Sequence, residues 1–236
     1  EPKKYCEYMW DPNRYVNIFV YTFEDKGILG ISHFPYVVKP HSLEGLTELE
    51  YDADWSELPW PQCVSINNEY IYSHEAYYTM TDVVNTLAHE LGHYLGLLHT
   101  FSNDECNNDD ACDDTHISDY DNYMAYVAKL LDDIIASGRK DISMKEVATR
   151  IDCKTNEEFL ADNILDYTYT TNEKFTAQQR ARTRHILKYA PLVPGPKLVD
   201  YNTTGKTMRA VSAPLDIKKI THCPEVPVRQ MPVVKR

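Results

Sequence analysis

The chain has 236 residues, 43% of them apolar, which suffices for one domain with a buried core. It contains no run of about 18 apolar residues, so no membrane-spanning helix is predicted. With 24 basic against 36 acidic residues the net charge is −12, which argues against nucleic acid as a partner.

Three segments in the first third of the chain have the β-branched and aromatic composition of strands. They are Tyr15–Phe23, Ile28–Tyr36 and Val64–Tyr72. Pro35 cannot donate a backbone hydrogen bond, which favours an edge position for the second strand. The prolines between residues 39 and 62 predict that this stretch is mostly loop.

A helix is predicted next. Thr79 or Thr81 can cap its N-terminus, and an apolar face that includes Leu91 and Leu95 continues as far as Gly96. The residues that carry chemistry lie in its last turns and just beyond them.

Residues 89–99 fit the pattern H-E-x-x-H-x-x-G-x-x-H, whose chance occurrence is on the order of 10⁻⁵. On a helix, His89 and His93 project from one face. Gly96 can adopt the left-handed conformation that ends a helix, so that the chain turns back and presents His99. Three histidines leave one coordination position of Zn²⁺ open for water, as a catalytic site requires. Glu90 is placed to hold that water and accept its proton. The alternative interpretation of the whole motif is that these are ordinary helix histidines that bind no metal.

Beyond the motif the sequence predicts a loop, three helices and a tail. The loop is the acidic stretch Asn103–Asp121, and the helices are Tyr123–Ala136, Met144–Arg150 and Phe175–Tyr189, the last capped by Thr176. Prolines recur from Pro191 onward and apolar periodicity fades. We therefore expect a catalytic domain of residues 1–190, with a cleft between residues 1–96 and 97–190, and a proline-rich tail, 191–236, that is extended or mobile.

The six cysteines are scattered and none forms a C-x-x-C pair, which argues against a second zinc site. They are Cys6, Cys63, Cys106, Cys112, Cys153 and Cys223. An even number in loop-like sequence predicts disulfides and an oxidising compartment, although about 15 pairings are open. Because the first four residues are not a signal peptide, an exported protein is expected to have lost its leader before this chain begins.

Several motifs, in order along the chain, resemble the pappalysin family of metzincin zinc metallopeptidases. They are Trp10–Ile18 (WDPNRYVNI), Leu29–Ser32 (LGIS), His89–Phe101, Asp114-Thr115, Asn163–Tyr167 (NILDY) and Phe175-Thr176 followed by Gln178. The run Tyr189–Lys197 is similar to bacterial, lipoprotein-type members. The resemblance implies an α+β zincin-like fold: a small twisted mixed sheet, an active-site helix, and an irregular, helical C-terminal subdomain. It also implies a strand and a helix before Trp10, so N-terminal elements are expected to be missing from this chain.

The resemblance assigns the strand around Gly30, Ile31 and Ser32 to the rim of the cleft. There it would pair main chain to main chain with an extended substrate, whereas the alternative is an ordinary edge strand.

In Asn163–Tyr167, Leu165 stands where the family has the methionine of the turn beneath the zinc ligands. A Leu–Met exchange typically costs under ~1.5 kcal/mol. Asn122–Tyr126 (NYMAY) is a rival for this turn, but the family's F-T helix follows Tyr167 and not Tyr126. Tyr167 would then lie near the metal and donate a hydrogen bond to the oxyanion, with a buried core tyrosine as the alternative.

Two further expectations concern specificity and a second metal. Threonines, including Thr171, occupy the stretch after the turn where the best-known members place an acid, so selectivity for Arg or Lys is not expected. The resemblance and the oxygen-rich loop imply a calcium site, although a solvated acidic loop explains the composition nearly as well. Its candidate ligands are Asp104, Asp113, Asp114 and Thr115.

The sequence as a whole favours a zinc endopeptidase that acts on extended protein or peptide substrates, with Glu90 as general base. It is expected to be extracytoplasmic, either secreted, periplasmic or held at a cell surface by a lipid anchor upstream of this chain. A retired protease scaffold that binds peptides or glycans is the alternative, favoured by Leu165. A latent form with Cys6 on the zinc is a third.

Overall fold

A computed structural model describes residues 8–50, 62–71 and 83–199 of the chain. Its strands are β1 (Asn17–Tyr21), β2 (Gly30–Ser32), β3 (Val37–Val38), β4 (Glu48–Leu49), β5 (Cys63–Asn67), β6 (Phe101–Ser102), β7 (Ser118–Asp119), β8 (Thr149–Ile151) and β9 (Glu158–Leu160). Its helices are α1 (Val83–Tyr94), α2 (Tyr120–Ser137), α3 (Met144–Ala148) and α4 (Ala177–Tyr189), with a 3-10 turn at Asn68–Tyr70. The predicted α+β class is confirmed.

The upper half, which is the described part of residues 1–96, contains a three-stranded mixed sheet in the order β1-β5-β2. Its central strand, β5, pairs parallel with β1 and antiparallel with β2, and all five of its residues are buried. β2 lies at the edge, where Gly30 pairs with Ile66 and Ser32 with Val64. Within the described residues β2 has a strand on one side only, which leaves its other edge open toward the cleft.

The strands are shorter than predicted, and β5 shows why. The prediction continued this strand to Tyr72, but the Asn67 side chain accepts a hydrogen bond from the Glu69 backbone N–H at 3.2 Å. A side-chain acceptor of this kind competes with the strand ladder and begins a turn. The chain therefore enters a 3-10 turn at Asn68.

The core lies between the sheet, α1 and α4. Val64 and Ile66 of β5 pack with Tyr94 of α1 and Ile186 of α4, and the predicted apolar face of α1 packs against this cluster. Val193 is fully buried in the same cluster. An extended or mobile tail was predicted from Pro191 onward, but the chain still packs on the core here. Residues 200–236 lie outside the described residues. The domain boundary at residue 190 stays a prediction.

The lower half, which is the chain from residue 97 onward, is irregular and helical as predicted. It also includes short strands that were not predicted. β6 pairs parallel with β7, and β8 pairs antiparallel with β9. The helix predicted over Met144–Arg150 ends at Ala148, because Thr149–Ile151 extends to pair with Glu158–Leu160. The α4 helix begins as predicted with Thr176 as its cap, in a capping box with Gln179.

Three predictions fall outside the described residues: the Thr79 or Thr81 cap of α1, the disulfide partners of Cys6 and Cys223, and the latent form with Cys6 on the zinc. Over the ranges that are described, none of the helices combines the length and apolar character needed to cross a membrane.

Candidate metal centre

The α1 helix and the turn that follows it bring three histidines to one point. The helix ends at Gly96, which has φ +86°. Only glycine suits this position, because any other side chain would strain the backbone and its Cβ would lie 2.8 Å from Ile186 Cγ1. The Nε2 atom of His93 lies 3.0 Å from that of His89 and 2.9 Å from that of His99. The third separation, between His89 and His99, is 3.2 Å.

Hydrogen bonds on the far side of two rings orient them for metal binding. His89 Nδ1 lies 2.7 Å from the Ile164 carbonyl oxygen, and His93 Nδ1 lies 2.7 Å from the Leu97 carbonyl oxygen. A carbonyl can only accept, so each Nδ1 carries the proton and each Nε2 presents its lone pair to the shared point. The ring of His99 stacks on Phe101 with a centroid distance of 4.6 Å.

This donor set fits Zn²⁺. Tetrahedral coordination at about 2.0–2.1 Å requires nitrogen atoms about 3.3 Å apart, close to the separations found here. Burial lowers the pKa of His89 to about 3 and that of His99 to about 2, and it lowers the pKa of His93 as well. All three are therefore neutral at pH 7, as ligation requires. Within the part of the chain that the structure describes, these histidines form the one group of three or more His, Cys, Asp or Glu that could hold a metal ion.

Glu90, one residue after the first histidine, is buried on the same helix. A Cβ added to Gly30 of β2 would lie 2.7 Å from Glu90 Cγ and 2.9 Å from Oε1, so only glycine leaves room for this side chain. Burial raises the pKa of the Glu90 carboxyl to about 7 in the metal-free protein. A cation held by the histidines would oppose that rise and favour the carboxylate.

A cavity of about 380 Å³ opens beside His89 and Glu90. One wall comes from residues 27–30, which end in the first residue of β2, and the other from the segment 164–172. The remaining lining comes from α1 and from Tyr120 at the start of α2. The lining residues are Gly27, Ile28, Leu29, Gly30, Asn85, Thr86, His89, Glu90, Tyr120, Ile164, Asp166, Tyr167, Thr168, Thr170 and Asn172.

Tyr167 lies over the histidines, where it was predicted to be. Its ring centroid is 4.5 Å from that of His99 and 5.3 Å from that of His89. Its side chain borders the cavity and the residue is 42% exposed, so it is not the buried core tyrosine of the alternative. Partial desolvation of the phenol beside the histidines and the charge of Glu90 raise its pKa to about 12, so it stays a hydrogen-bond donor at neutral pH.

Leu165 is fully buried beneath α1, where a Cβ added to Gly92 would lie 2.9 Å from Leu165 Cδ2. The Asn163 side chain accepts from the Leu165 backbone N–H at 2.9 Å and donates to Gln179 Oε1 at 2.8 Å. The rival turn is excluded by position, because Met124 lies within α2 and is 37% exposed. Leu165 therefore occupies the place beneath the histidines.

Only some of the residues predicted to bind substrate line the cavity. Gly30 lines the cavity, whereas Ile31, Ser32 and Thr171 do not. Ile31 is exposed on the edge strand, and Ser32 has its Oγ buried. The neighbours of Thr171, Thr170 and Asn172, line the cavity instead. Asn172 has φ +51°, a local turn that the composition TYTTNEK does not reveal.

The predicted calcium site is not supported. Among the described residues, the carboxylates of Asp104, Asp113 and Asp114 do not belong to any group that could hold a metal ion. Asp114 instead accepts from the Gln178 backbone N–H at 3.0 Å, at the N-terminus of α4. Thr115 donates its hydroxyl to Asp110 at 2.6 Å. The Thr115–Asp110 bond lies within the loop, and the Asp114–Gln178 bond ties the loop to α4.

The structure contains one of the disulfides that the even cysteine count predicts. Cys106 of the acidic loop is bonded to Cys153, which follows β8. The bond links the loop after the third histidine to the β8–β9 hairpin.

Sequence reasoning missed several residues of the cavity wall. Thr86 lies three residues before His89 on the same helical face, a spacing that could have identified it. Tyr120 and Thr168 come from separate segments and are joined by a hydrogen bond of 3.1 Å between their hydroxyls. Nothing local in the sequence indicates that contact.

A family model and solved structures match the chain. The family model described as Pregnancy-associated plasma protein-A (Peptidase M43) matches residues 1–188. Mature mirolysin of Tannerella forsythia in complex with a cleaved peptide is 22% identical, with a TM-score of 0.46 over 75% of this chain and 53% of that chain. A promirolysin mutant of the same organism is 21% identical, with a TM-score of 0.47 over 76% of this chain and 48% of that chain. The chain thus spans about half the length of these structures, and no curated protein matches it.

Proposed function

The chain belongs to the pappalysin family of metallopeptidases, and we propose from this premise that it is a zinc-dependent endopeptidase acting on extended protein substrates. One observation carries the proposal. Three histidine Nε2 atoms converge within 2.9–3.2 Å of one another, and Glu90 and Tyr167 border the same cavity. A binding scaffold would have no need of the buried carboxyl beside the histidines.

His89, His93 and His99 would hold the metal, with one coordination position left for water. When bound, Zn²⁺ supplies Lewis-acid chemistry: it polarises a carbonyl oxygen and lowers the pKa of water to around 7. Glu90 accepts a proton on a carboxylate oxygen as the water attacks the scissile carbonyl carbon, and then delivers it to the leaving amine nitrogen.

Tyr167 supplies a hydrogen bond from its phenol to the oxygen on which negative charge develops. Because its pKa is raised to about 12, the phenol donates throughout the neutral range. Its ring contacts with His99 and Phe101, at centroid distances of 4.5 and 4.7 Å, support it from behind.

The open edge of β2 is the proposed substrate cradle. An extended peptide can add a strand to such an edge through main-chain hydrogen bonds, which do not depend on side-chain identity. Gly30 brings this edge close to Glu90, and Ile31 and Ser32 continue it. The substrate's backbone would thereby lie along the metal centre.

The opposite wall supports a neutral specificity pocket. Thr168, Thr170 and Asn172 contribute uncharged polar groups, and the carboxylate of Asp166 is already paired with Arg150. A basic substrate side chain would find no free carboxylate on this wall. We therefore expect cleavage without a strong preference for Arg or Lys.

The protein is proposed to work outside the cytoplasm. The Cys106–Cys153 disulfide supports this location, since such bonds persist in oxidising compartments. A lipid anchor upstream of the chain stays a prediction from the resemblance to lipoprotein-type members.

The proposed activity is tested with unfolded casein as substrate and mass spectrometry of the fragments. We expect cleavage to stop after dialysis against a chelator, and to return when Zn²⁺ but not Ca²⁺ is added back. The fragment ends would report the specificity. Binding of peptides by the zinc-loaded protein without any cleavage would favour the retired scaffold instead.

A further inference from the structure

Arg150 of β8 is a buried cation that the mechanism above does not use. It is only 2% exposed, and its guanidinium stacks on the Tyr123 ring at 4.0 Å from the ring centroid. Its Nη1 forms an ion pair with Asp166, and its Nη2 donates to the carbonyl oxygen of Tyr167. One side chain thus contacts both residues that follow Leu165.

These contacts hold the backbone of Tyr167 from both sides. The Tyr167 backbone N–H donates to Asp166 Oδ1 at 2.7 Å, while its carbonyl accepts from Arg150. The next residue, Thr168, has φ +62°, so the chain bends sharply immediately after the tyrosine. Tyr167 is 42% exposed as a residue, so the ring contacts with His99 and Phe101 cover only part of it and the backbone contacts add a second anchor.

We propose that Arg150 is a positioning residue whose forked guanidinium, paired with Asp166, fixes the backbone of Tyr167 so that its phenol points at the reacting carbonyl oxygen. This inference rests on the proposed peptidase function. Two donors in a rigid plane reach the carboxylate and the carbonyl together, which a lysine ammonium on a flexible stem cannot reproduce. Misplacing a group by about 1 Å can cost about 10²-fold in rate.

The test is a double-mutant cycle that pairs Arg150→Lys with Tyr167→Phe, assayed on a fluorogenic peptide that the wild type cuts. Arg150→Lys keeps a counter-charge for Asp166, so we expect it to fold and to bind zinc. Its kcat should fall about 10-fold with KM nearly unchanged, because the lost interaction acts on the transition state. In the Tyr167→Phe background, Arg150→Lys should lower kcat by less than about 2-fold, since no phenol is left to position.

Arg139→Lys is the matched control, because Arg139 also forms a forked pair, with Glu146, but at the surface. It should leave kcat unchanged. If Arg150→Lys does not fold, the cycle is repeated with Arg150→Met combined with Asp166→Leu, which leaves no unpaired buried charge.

Each outcome has one meaning. Losses that multiply in the double mutant would show a merely structural role for Arg150 and overturn the inference. Full activity of Tyr167→Phe would overturn both the oxyanion role and the positioning role while leaving the peptidase intact. A wild type that cuts nothing would remove the proposed function itself, and the inference with it.

Discussion

The metal-binding side of the cleft and the wall that contains Tyr167 are built in different ways. The metal-binding side is local: His89, Glu90, His93 and His99 lie on one helix and its closing turn. The segment Asn163–Tyr167 is held by distant partners: Gln179 bonds to Asn163, Arg150 donates to the Tyr167 carbonyl, and the Tyr167 ring contacts His99. The metal centre is therefore specified by a short motif, whereas the position of Tyr167 depends on tertiary contacts.

The largest effect is expected on the local side. His93→Ala removes the central ligand of the three, so zinc should be lost and activity should fall below about 10⁻³ of wild type. Zinc content by mass spectrometry and casein cleavage would be measured on the same samples.

His116→Ala is the matched control for that loss. This histidine has a side chain that is 61% exposed and pairs with Asp152, away from the three ligands. It should keep zinc and activity. Equal losses from the two variants would contradict the assignment of the ligands.

Tyr167→Phe tests the distant wall. The ring contacts with His99 remain but the phenolic donor is lost, so we expect kcat to fall about 10²-fold with zinc retained. Steady-state kinetics with a peptide substrate would check this. A rise in KM alone would instead indicate a role in substrate binding.

Gly30→Ala tests the close contact between the edge strand β2 and the proposed base, Glu90. The added methyl group would lie 2.7 Å from Glu90 Cγ, so the carboxyl must move while the histidines stay in place. We expect kcat to fall about 10-fold, with zinc content and melting temperature little changed. Unaltered kcat would show that Glu90 tolerates displacement and weaken its role as general base.

Leu165→Met should have the smallest effect. The two side chains are similar in volume, so the free energy of unfolding should change by less than ~1.5 kcal/mol and activity by less than about 3-fold. Leu165→Ala, which empties the same buried site, should cost about 2–5 kcal/mol in a denaturant melt. A large gain in activity with Met would mean that Leu165 impairs the site, as the retired-scaffold alternative requires.

The comparison of the walls also explains what the sequence could predict. Helix periodicity, the spacing of the histidines and Gly96 act within a few residues, so α1 and its ligands followed from local rules. Arg150 was assigned to the end of a helix, where a charged residue normally faces solvent. Its burial follows from pairing with Asp166, which no local pattern indicates.

In the acidic loop, composition alone does not decide between a calcium site and a loop held by hydrogen bonds. Its composition is that of a calcium loop, but Asp110 and Asp114 accept hydrogen bonds within the protein instead. Composition reports how many carboxylates are present and not which donors they meet. The approach of Gly30 to Glu90 was equally hidden, because it depends on how β2 pairs with β5 above α1.

The most direct test of the account compares wild type with Glu90→Ala on unfolded casein, with zinc content measured on both. If Glu90 is the general base, both proteins bind one zinc ion and only the wild type cuts, with the variant slower by about 10³-fold or more. A Glu90→Ala protein that cuts at the full rate would contradict the mechanism. If both hold zinc and neither cuts, the chain is a binding scaffold and not an enzyme.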